Sequence, residues 1–437
     1  MTVLLVDLQI ATRNLAKHTR RNLFLAGAIG VVTAFLVLLG GLTEGMREAM
    51  LESATTLMTG HVNIGGFFKI TSGTAAPLVT EYEKALAQVR QDLPELDFAA
   101  PRGRGWAKGV SETSSMDLIL AGIDVRNEPG FRRVVHPLQG SLDDLAQPGT
   151  ILVFQKQADR FGVKVGDSLT LSAPTTRGAS NTADVRVVVI AKDIGLLSAW
   201  NAFIPSETLR QLYQLKVGTT GAVQLYLKDP AAAKQVAARV RGKLSAAGYR
   251  VMDPDPRPYW EKLMFKVTNE DWVGQKLDVT TWDEEMSFLS WIVTAVRWLG
   301  GILVVILLVI VVIGIMNTLA IAIRERTREI GTLRAIGMQR RKVLWLTLLE
   351  AGLLGAAGAA AGALGGAGLA ALLNAARIAV PEDVQYFLLQ DRLHIVVQPA
   401  SALGFAALIT LVTAVASAWP ALHAARLRPI TAIHHIG

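Results

Sequence analysis

Arg241-Gly242-Lys243-Leu244-Ser245 is the stretch of this sequence that comes nearest to a phosphate-binding loop, and it falls short of one. A G-x-x-x-x-G-K-[S/T] loop needs its first glycine so that successive amides can cradle phosphates, and a hydroxyl directly after the lysine. Here that first glycine is missing and Leu244 stands where the hydroxyl belongs. ATP is not expected on this chain by that route. No H-E-x-x-H is present, the seven histidines are scattered except for His434-His435, and no G-x-S-x-G elbow or other nucleophile constellation stands out. No catalytic residue and no metal ligand is therefore assigned. Without cysteine, thiolate ligands and disulfides are also excluded.

The charges that stand out lie in one short segment, Arg324-Glu325-Arg326-Thr327-Arg328-Glu329-Ile330-Gly331-Thr332-Leu333-Arg334-Ala335-Ile336-Gly337, followed by Arg340-Arg341-Lys342. Glu325 and Glu329 fall one helical turn apart, and Glu325 can pair with Arg328 on a helix continuing from the apolar run before it. Gly331 is expected to end that helix, Leu333 to Ile336 to form a short second turn, and Gly337 to stop it. Apolar Leu333 and Ile336 then share one side, which suits insertion into a partner's groove. One further carboxylate, Glu350, sits about two turns into an apolar run. An intramembrane carboxylate is a functional candidate by default, but this one can reach the nearer interface, where a structural contact with the N-terminal leader or the loop arginines outweighs a substrate or proton role.

Long apolar elements must position this segment. Of 437 residues 51% are hydrophobic and 18% charged, and the mean hydropathy is positive, which points to a membrane protein. The net charge of +8 is concentrated beside apolar runs and not in a basic stripe interleaved with aromatics, so nucleic acid is not an expected partner. Four runs exceed the roughly 20 residues that cross a bilayer as helix: residues 22–42, 291–323, 343–373 and 400–422. The first is too long for a signal-peptide core and lacks a clean cleavage site, so it reads as a retained anchor. Arg13, Lys17, Arg20 and Arg21 precede the first run, the 324–342 segment joins the second and third, and Arg426 and Arg428 follow the fourth. By the positive-inside rule these segments are cytoplasmic, as are both termini. Residues 43–290 and 374–399 are then outside, and the tail is 423–437.

Residues 1–21 place Leu4, Leu5, Leu8, Ala11, Leu15 and Ala16 at near-helical spacing and read as an amphipathic helix on the inner leaflet. Residues 43–290 alternate strand-like and helix-like runs: helix at 81–93, strand at 116–123, strand into helix at 151–161, a turn feeding a strand at 165–171, and a strand at 184–190. Strand 223–227, helix 231–247 and strand 249–252 form a βαβ-like unit. The fold class is therefore four transmembrane helices with a large extracytoplasmic mixed α+β domain. Prolines 254, 256 and 258 make a stiff extended separator. A helix from about 283 to 328 would outrun the bilayer and project as a stalk. In the third run Gly358, Gly362 and Gly366 repeat every fourth residue, which lets helix backbones approach closely in lipid; packing within the chain and a contact between copies weigh equally.

Met316-Asn317-Thr318 and the segment Arg324 to Gly337 with Arg340-Arg341 closely resemble the FtsX-type domain of bacterial ABC-transporter permeases. Trp419-Pro420-Ala421 through Ala425-Arg426-Leu427-Arg428-Pro429-Ile430 looks like that family's closing pattern. Phe161-Gly162-Val163-Lys164-Val165-Gly166-Asp167 and Val189-Ile190-Ala191 are similar to its MacB-like periplasmic core domain. Within this superfamily of macrolide exporters, lipoprotein-releasing permeases and the division protein FtsX, Gly60-His61-Val62-Asn63-Ile64 and Thr281-Trp282 look most like the lipoprotein-releasing (LolC/LolE-like) permeases. No counterpart of the hook loop through which LolC recruits a periplasmic carrier is found. MacB carries its ATPase on the same polypeptide, whereas this sequence begins with the leader.

The resemblance implies a non-catalytic permease of the bacterial inner membrane, with ATP and Mg held by a separate ABC ATP-binding subunit dimer that docks on Arg324 to Gly337. It implies a second permease chain, identical or paired, and mechanotransmission through the stalk to the outer domain. Extraction of a lipoprotein or another lipidic substrate from the inner membrane, with a periplasmic carrier or adaptor as a further partner, is the leading expectation. The alternatives are an FtsX-like regulator of a cell-wall hydrolase and a MacB-like drug or peptide exporter working with an adaptor and an outer-membrane channel.

Overall fold

A computed structural model of the protein describes residues 2–17, 19–71, 74–325, 327–381, 385 and 392–426. Along the chain, α1 (Thr2–Lys17) and α2 (Thr19–Ala54) come first. Then follow α3 (Tyr82–Arg90), α4 (Pro129–Val134), α5 (Gln155–Phe161), α6 (Ser206–Tyr213), α7 (Ala233–Ala246), α8 (Tyr259–Phe265) and α9 (Trp282–Glu285). After them come α10 (Ser287–Glu325), α11 (Thr327–Ala335), α12 (Arg340–Ala375) and α13 (Pro399–Arg426). Two compact units result: a helical one from Met1–Arg47, Val293–Ala379 and Arg392–Gly437, and an α+β one from Glu48–Ile292 and Val380–Asp391.

In the helical unit, four helices are long and apolar enough to cross a membrane: Thr19–Thr59, Thr294–Thr318, Arg340–Ala375 and Pro399–His423. With 39 residues, α10 is about 58 Å long at roughly 1.5 Å per residue, close to twice a hydrocarbon core of about 30 Å. That is the long second helix expected from the sequence. The 36 residues of α2 make it nearly as long, although its apolar run ends at Leu42. Past that point Met46, Met50 and Ala54 are buried while Arg47 and Glu48 are exposed, and α2 ends in a π-helical turn, Thr55–Thr59, that the sequence reading missed. Leu25, Ile29 and Leu36 of α2 meet Val311 and Ile315 of α10, Leu354 and Ala359 of α12, and Ile409 and Ala416 of α13 in one apolar cluster.

The α+β unit is built on strands β1 (Val62–Thr71), β2 (Thr74–Ala76), β3 (Leu96–Val110), β4 (Ser115–Ile123), β5 (Pro137–Gly140), β6 (Thr150–Phe154), β7 (Ser168–Pro174), β8 (Ser180–Ala191), β9 (Asn201–Pro205), β10 (Ala222–Leu227) and β11 (Gly274–Thr281). They form one eleven-stranded sheet whose main path runs β11-β1-β10-β3-β4-β9-β6-β8-β5, with β2 paired to β1 and β7 paired to β3 and β8. The fifteen-residue β3 serves two lobes. Its first half pairs antiparallel with β10, Arg102 opposite Ala222, and its second half pairs with β4, Gly103 opposite Gly122.

In the first lobe β11, β1, β10 and β3 carry α3 and α7 on one face, over a core of Val62, Ile64, Val89, Val223, Leu225, Val236, Val240 and Val279. In the second, β7 pairs with both β8 and β3 and so closes β3-β4-β9-β6-β8 into a barrel. Closure removes the exposed edges that an open sheet would present. Leu118, Leu120, Ile151, Val153, Leu169, Leu171, Val185 and Val187 fill the barrel. Most helices and strands expected in residues 81–247 are present within a few residues. The strand expected at 249–252 is not: Val251 makes a single bridge to Leu277, and the βαβ-like unit is completed by β11.

Candidate functional site

Two glycines were expected to bound the segment after α10, and only one does. α10 is described to Glu325 and α11 from Thr327, and Arg326 between them lies outside the described residues. Gly331 does not end a helix; it is buried inside α11, despite the roughly 1 kcal/mol propensity cost of glycine there. Gly337, at φ +107°, does stop the chain, receiving its turn through a bond from its amide to the Arg334 carbonyl. Glycine is the residue that adopts this left-handed backbone without a Cβ penalty. Thr327 donates its hydroxyl to the Ile323 carbonyl one turn earlier at 2.9 Å, and Arg334 Nη1 donates to the Ala425 carbonyl at 2.9 Å, which ties α11 to α13. Arg324 and Ala335 are exposed, and Ile336 is 80% exposed. The side chains of Glu325, Arg328, Glu329, Ile330 and Leu333 lie outside what is described. The result is a helical stretch tied to α13 through Arg334, with an exposed isoleucine in the turn that follows it.

Gly358, Gly362 and Gly366 all face α2. A Cβ on Gly358 would lie 2.7 Å from the Ala26 carbonyl oxygen, one on Gly366 2.9 Å from Ala34 Cα, and one on Gly362 would overlap the Gly30 carbonyl and come within 2.7 Å of Gly30 Cα. The repeat therefore packs within the chain. Gly365 and Gly368, on another face, meet nothing within 4 Å, and Gly355 faces Thr413 of α13. Glu350 has a partner as well: its Oε1 accepts from Asn14 Nδ2 of α1 at 2.6 Å, while Lys342 pairs with the buried Asp7. Asp7, Ala11 and Asn14 thus turn toward α12, and Val6, Leu8 and Ile10 turn outward.

In the α+β unit, burial of charge is the feature that sequence reading did not anticipate. Lys69, Arg102 and Lys262 are each at most 1% exposed. Lys262 pairs with Asp278 at 2.8 Å, and Lys69 Nζ donates to the Val267 and Glu270 carbonyls. Arg102 pairs with Glu128 and donates to the Thr56 and Leu57 carbonyls of the π-helical turn. Burial pushes both Asp278 and Glu128 above the usual carboxylate range, against the opposing pull of Lys262 and Arg102 respectively. Arg104 lies 3.8 Å from Glu285, donates to Asn63 Oδ1 and stands over the Tyr259 ring. By contrast, Arg257 and Lys266 hold the Asp255 carboxyl well below its usual range, pinning the proline-rich separator.

The residues that suggested a lipoprotein-releasing subgroup are placed side by side by the β1–β11 pairing, Val62 opposite Thr281. Gly60, at φ +62°, sits 2.8 Å from Gln224 Cβ by its would-be Cβ, His61 Nδ1 accepts from the Leu227 amide, and the Trp282 amide donates to the His61 carbonyl. Thr281 and Glu284 cap α9 reciprocally. Each of these contacts serves the fold. Part of the closing pattern, from Leu427 on, and His434-His435 lie outside the described residues.

Residues 23–243 match the family described as MacB-like periplasmic core domain, and residues 301–429 the FtsX-like permease C-terminal family. The chain belongs to the MacB/FtsX family of ABC-transporter permeases. The macrolide export ATP-binding/permease protein MacB of Agrobacterium fabrum is 24% identical over 440 residues, covering 98% of this chain and 60% of that protein. The pyoverdine export ATP-binding/permease protein PvdT of Pseudomonas savastanoi pv. phaseolicola is 36% identical over 122 residues, 28% of this permease and 16% of the relative. This permease thus spans about 60% of the length of the first relative. Among solved structures, the periplasmic region of MacB from Actinobacillus actinomycetemcomitans is similar at 12% identity and a TM-score of 0.33, over 56% of this chain and 97% of that one.

Proposed function

We propose that this chain is the non-catalytic membrane subunit of an ATP-driven machine of the inner membrane, with both termini in the cytoplasm and α11 as the docking element for a separate ABC ATP-binding subunit. What carries the reading is the form of the 324–337 segment: the helical stretch α11, following a helix close to twice the bilayer's thickness, braced through Arg334 and stopped at Gly337 with Ile336 outward. A braced helix transmits a push where a loose loop would absorb it. ATP and Mg sit on the partner, whose closure moves α11, and α10 carries the motion along its length toward the α+β unit. A second permease chain completes the assembly. Trp298, Leu299, Ile302 and Val305 leave an apolar face of α10 open to lipid or to that chain.

The substrate in this proposal is a lipoprotein or another lipidic molecule drawn from the membrane, as the Gly60 to Ile64 and Thr281-Trp282 likeness suggests. The relatives' names, macrolide export and pyoverdine export, favour a second reading, export of a small molecule. Co-purified material identified by mass spectrometry separates the two: lipid or lipoprotein supports extraction, and a polar small molecule supports export.

The docking claim is tested by Ile336→Glu in full complexes reconstituted with the ATPase. A charge in place of an anchor of this kind typically costs 2 kcal/mol or more, so docking should weaken on the order of thirtyfold and stimulation of the ATPase should fall with it. Unchanged stimulation with the variant inserted normally would sink the claim.

A further inference from the structure

In the α+β unit, Trp106, Trp200, Trp260, Met264 and Met286 surround an open cavity of about 510 Å³ that nothing in the coupling reading uses. That volume falls in the roughly 300–1,000 Å³ range of small-molecule sites. Its chemistry is one-sided. Glu285 is the one charged side chain in the lining, and it is already engaged: Thr280 donates to one oxygen at 2.7 Å, and Arg104 and the Tyr259 amide face the other. The Tyr259 hydroxyl, pushed up to about 12 by burial, stays neutral. A peptide lying here would strand its amides, because burying an unpaired amide is costly. A cationic drug would find a carboxylate whose charge is compensated. An uncharged aliphatic group meets no such cost.

The walls suit a flexible chain. Met58, Met264 and Met286 are unbranched and polarizable and adapt to an irregular occupant. At the rim Trp106, Trp200 and Trp260 are 36–49% exposed, indoles that join an apolar body to a polar edge, as tryptophans do at membrane–water boundaries. We infer that this cavity binds an acyl chain, its headgroup or modified residue left outside between the three tryptophans. The inference deepens the lipidic-substrate reading above and needs no part of the ATPase coupling.

The test uses the full chain in lipid nanodiscs with a photoactivatable diazirine palmitoyl-lysophosphatidylcholine, and in parallel a diazirine-palmitoylated dipeptide, adducts being mapped by mass spectrometry. Adducts are expected on the stretches 258–265 and 282–287 in addition to the spans. Met264→Glu, at a site 60% exposed and so tolerant of charge, should remove the 258–265 adducts and leave those in the spans. Labelling by the lipid alone marks a resident membrane lipid, and labelling by both marks a lipidated substrate; either supports an acyl site. Adducts confined to the spans or adducts that survive Met264→Glu would overturn it. Failure here with Ile336→Glu still uncoupling the ATPase removes the acyl site alone, whereas adducts with unimpaired coupling in that variant remove the docking claim alone.

Discussion

Where α12 meets α2 the contact is made by residues without side chains, and where α8 meets β11 it is made by a lysine and an aspartate exposed at 0% and 4%. Both contacts are buried and both exclude water, but they fail in opposite ways. A glycine seam in an apolar bundle is held by backbone proximity, so any added atom drives the helices apart. A buried ion pair is held by mutual compensation, so any removed partner leaves an orphaned charge. Adding atoms should break the first and removing them the second.

The largest effect is expected at Gly362. Leucine there would overlap the Gly30 backbone, which cannot move aside as a side chain could, and overpacking of well-packed cores already costs about 1–3 kcal/mol without backbone conflict. Gly362→Leu should therefore lose the folded bundle or lower its thermal midpoint sharply in detergent, while Gly365→Leu, with nothing within 4 Å, should match the parent. Equal effects at both positions would refute a seam specific to α2.

Next is Lys262→Met, which leaves Asp278 buried without its cation and should destabilise the α+β unit by about 3–5 kcal/mol. Adding Asp278→Leu should recover most of that loss, because an apolar pair of similar volume replaces an ion pair at little cost. A double variant no better than the single would mean that Lys262 has other necessary partners. The single variant also has a pH signature. Burial raises the folded-state pKa of Asp278 above the unfolded value of about 3.9, so the folded state binds the proton more tightly and gains stability as pH falls through the raised pKa. The deficit of Lys262→Met should shrink on acidification, as urea melts at a series of pH values would record.

The two seams also differ in how far they could be read from the amino-acid sequence. Gly358, Gly362 and Gly366 announce close packing by their spacing alone, and only the partner, α2 or another copy, stayed open until Gly30 and Ala34 were seen against them. Lys69, Arg102 and Lys262 carry no such mark, since lysine and arginine are almost always solvated and their partners lie far along the chain. In β3, Gly103, Gly105 and Gly109 interrupt the alternation that identifies a strand. They are there because Leu209, Tyr213 and Phe161 fill the space their side chains would take. Spans were legible because a bilayer demands a fixed apolar length. The extension of α2 to Ala54 was not, because beyond Leu42 the helix is stabilised by tertiary contacts and not by its own hydropathy.

The smallest predicted effect lies at His61, between these extremes: a polar side chain, part-buried, with one hydrogen bond. Its Nδ1 accepts from the Leu227 amide at 2.8 Å, and its ring stands edge-on to Tyr226 at 5.7 Å. Burial lowers its pKa below the ordinary 6.5, so the unfolded chain binds the proton more tightly than the folded one. Stability is then lost as pH falls through about 6.5 toward the lowered folded value, the reverse of the Asp278 case. Protonation would also convert the acceptor into a donor and set it against the Leu227 N–H. His61→Gln, which keeps an acceptor without titrating, should flatten the melting curve's pH dependence just below 6.5 while the steeper carboxylate-driven loss at lower pH remains. A variant as pH-sensitive as the parent in that window would assign the dependence to another group.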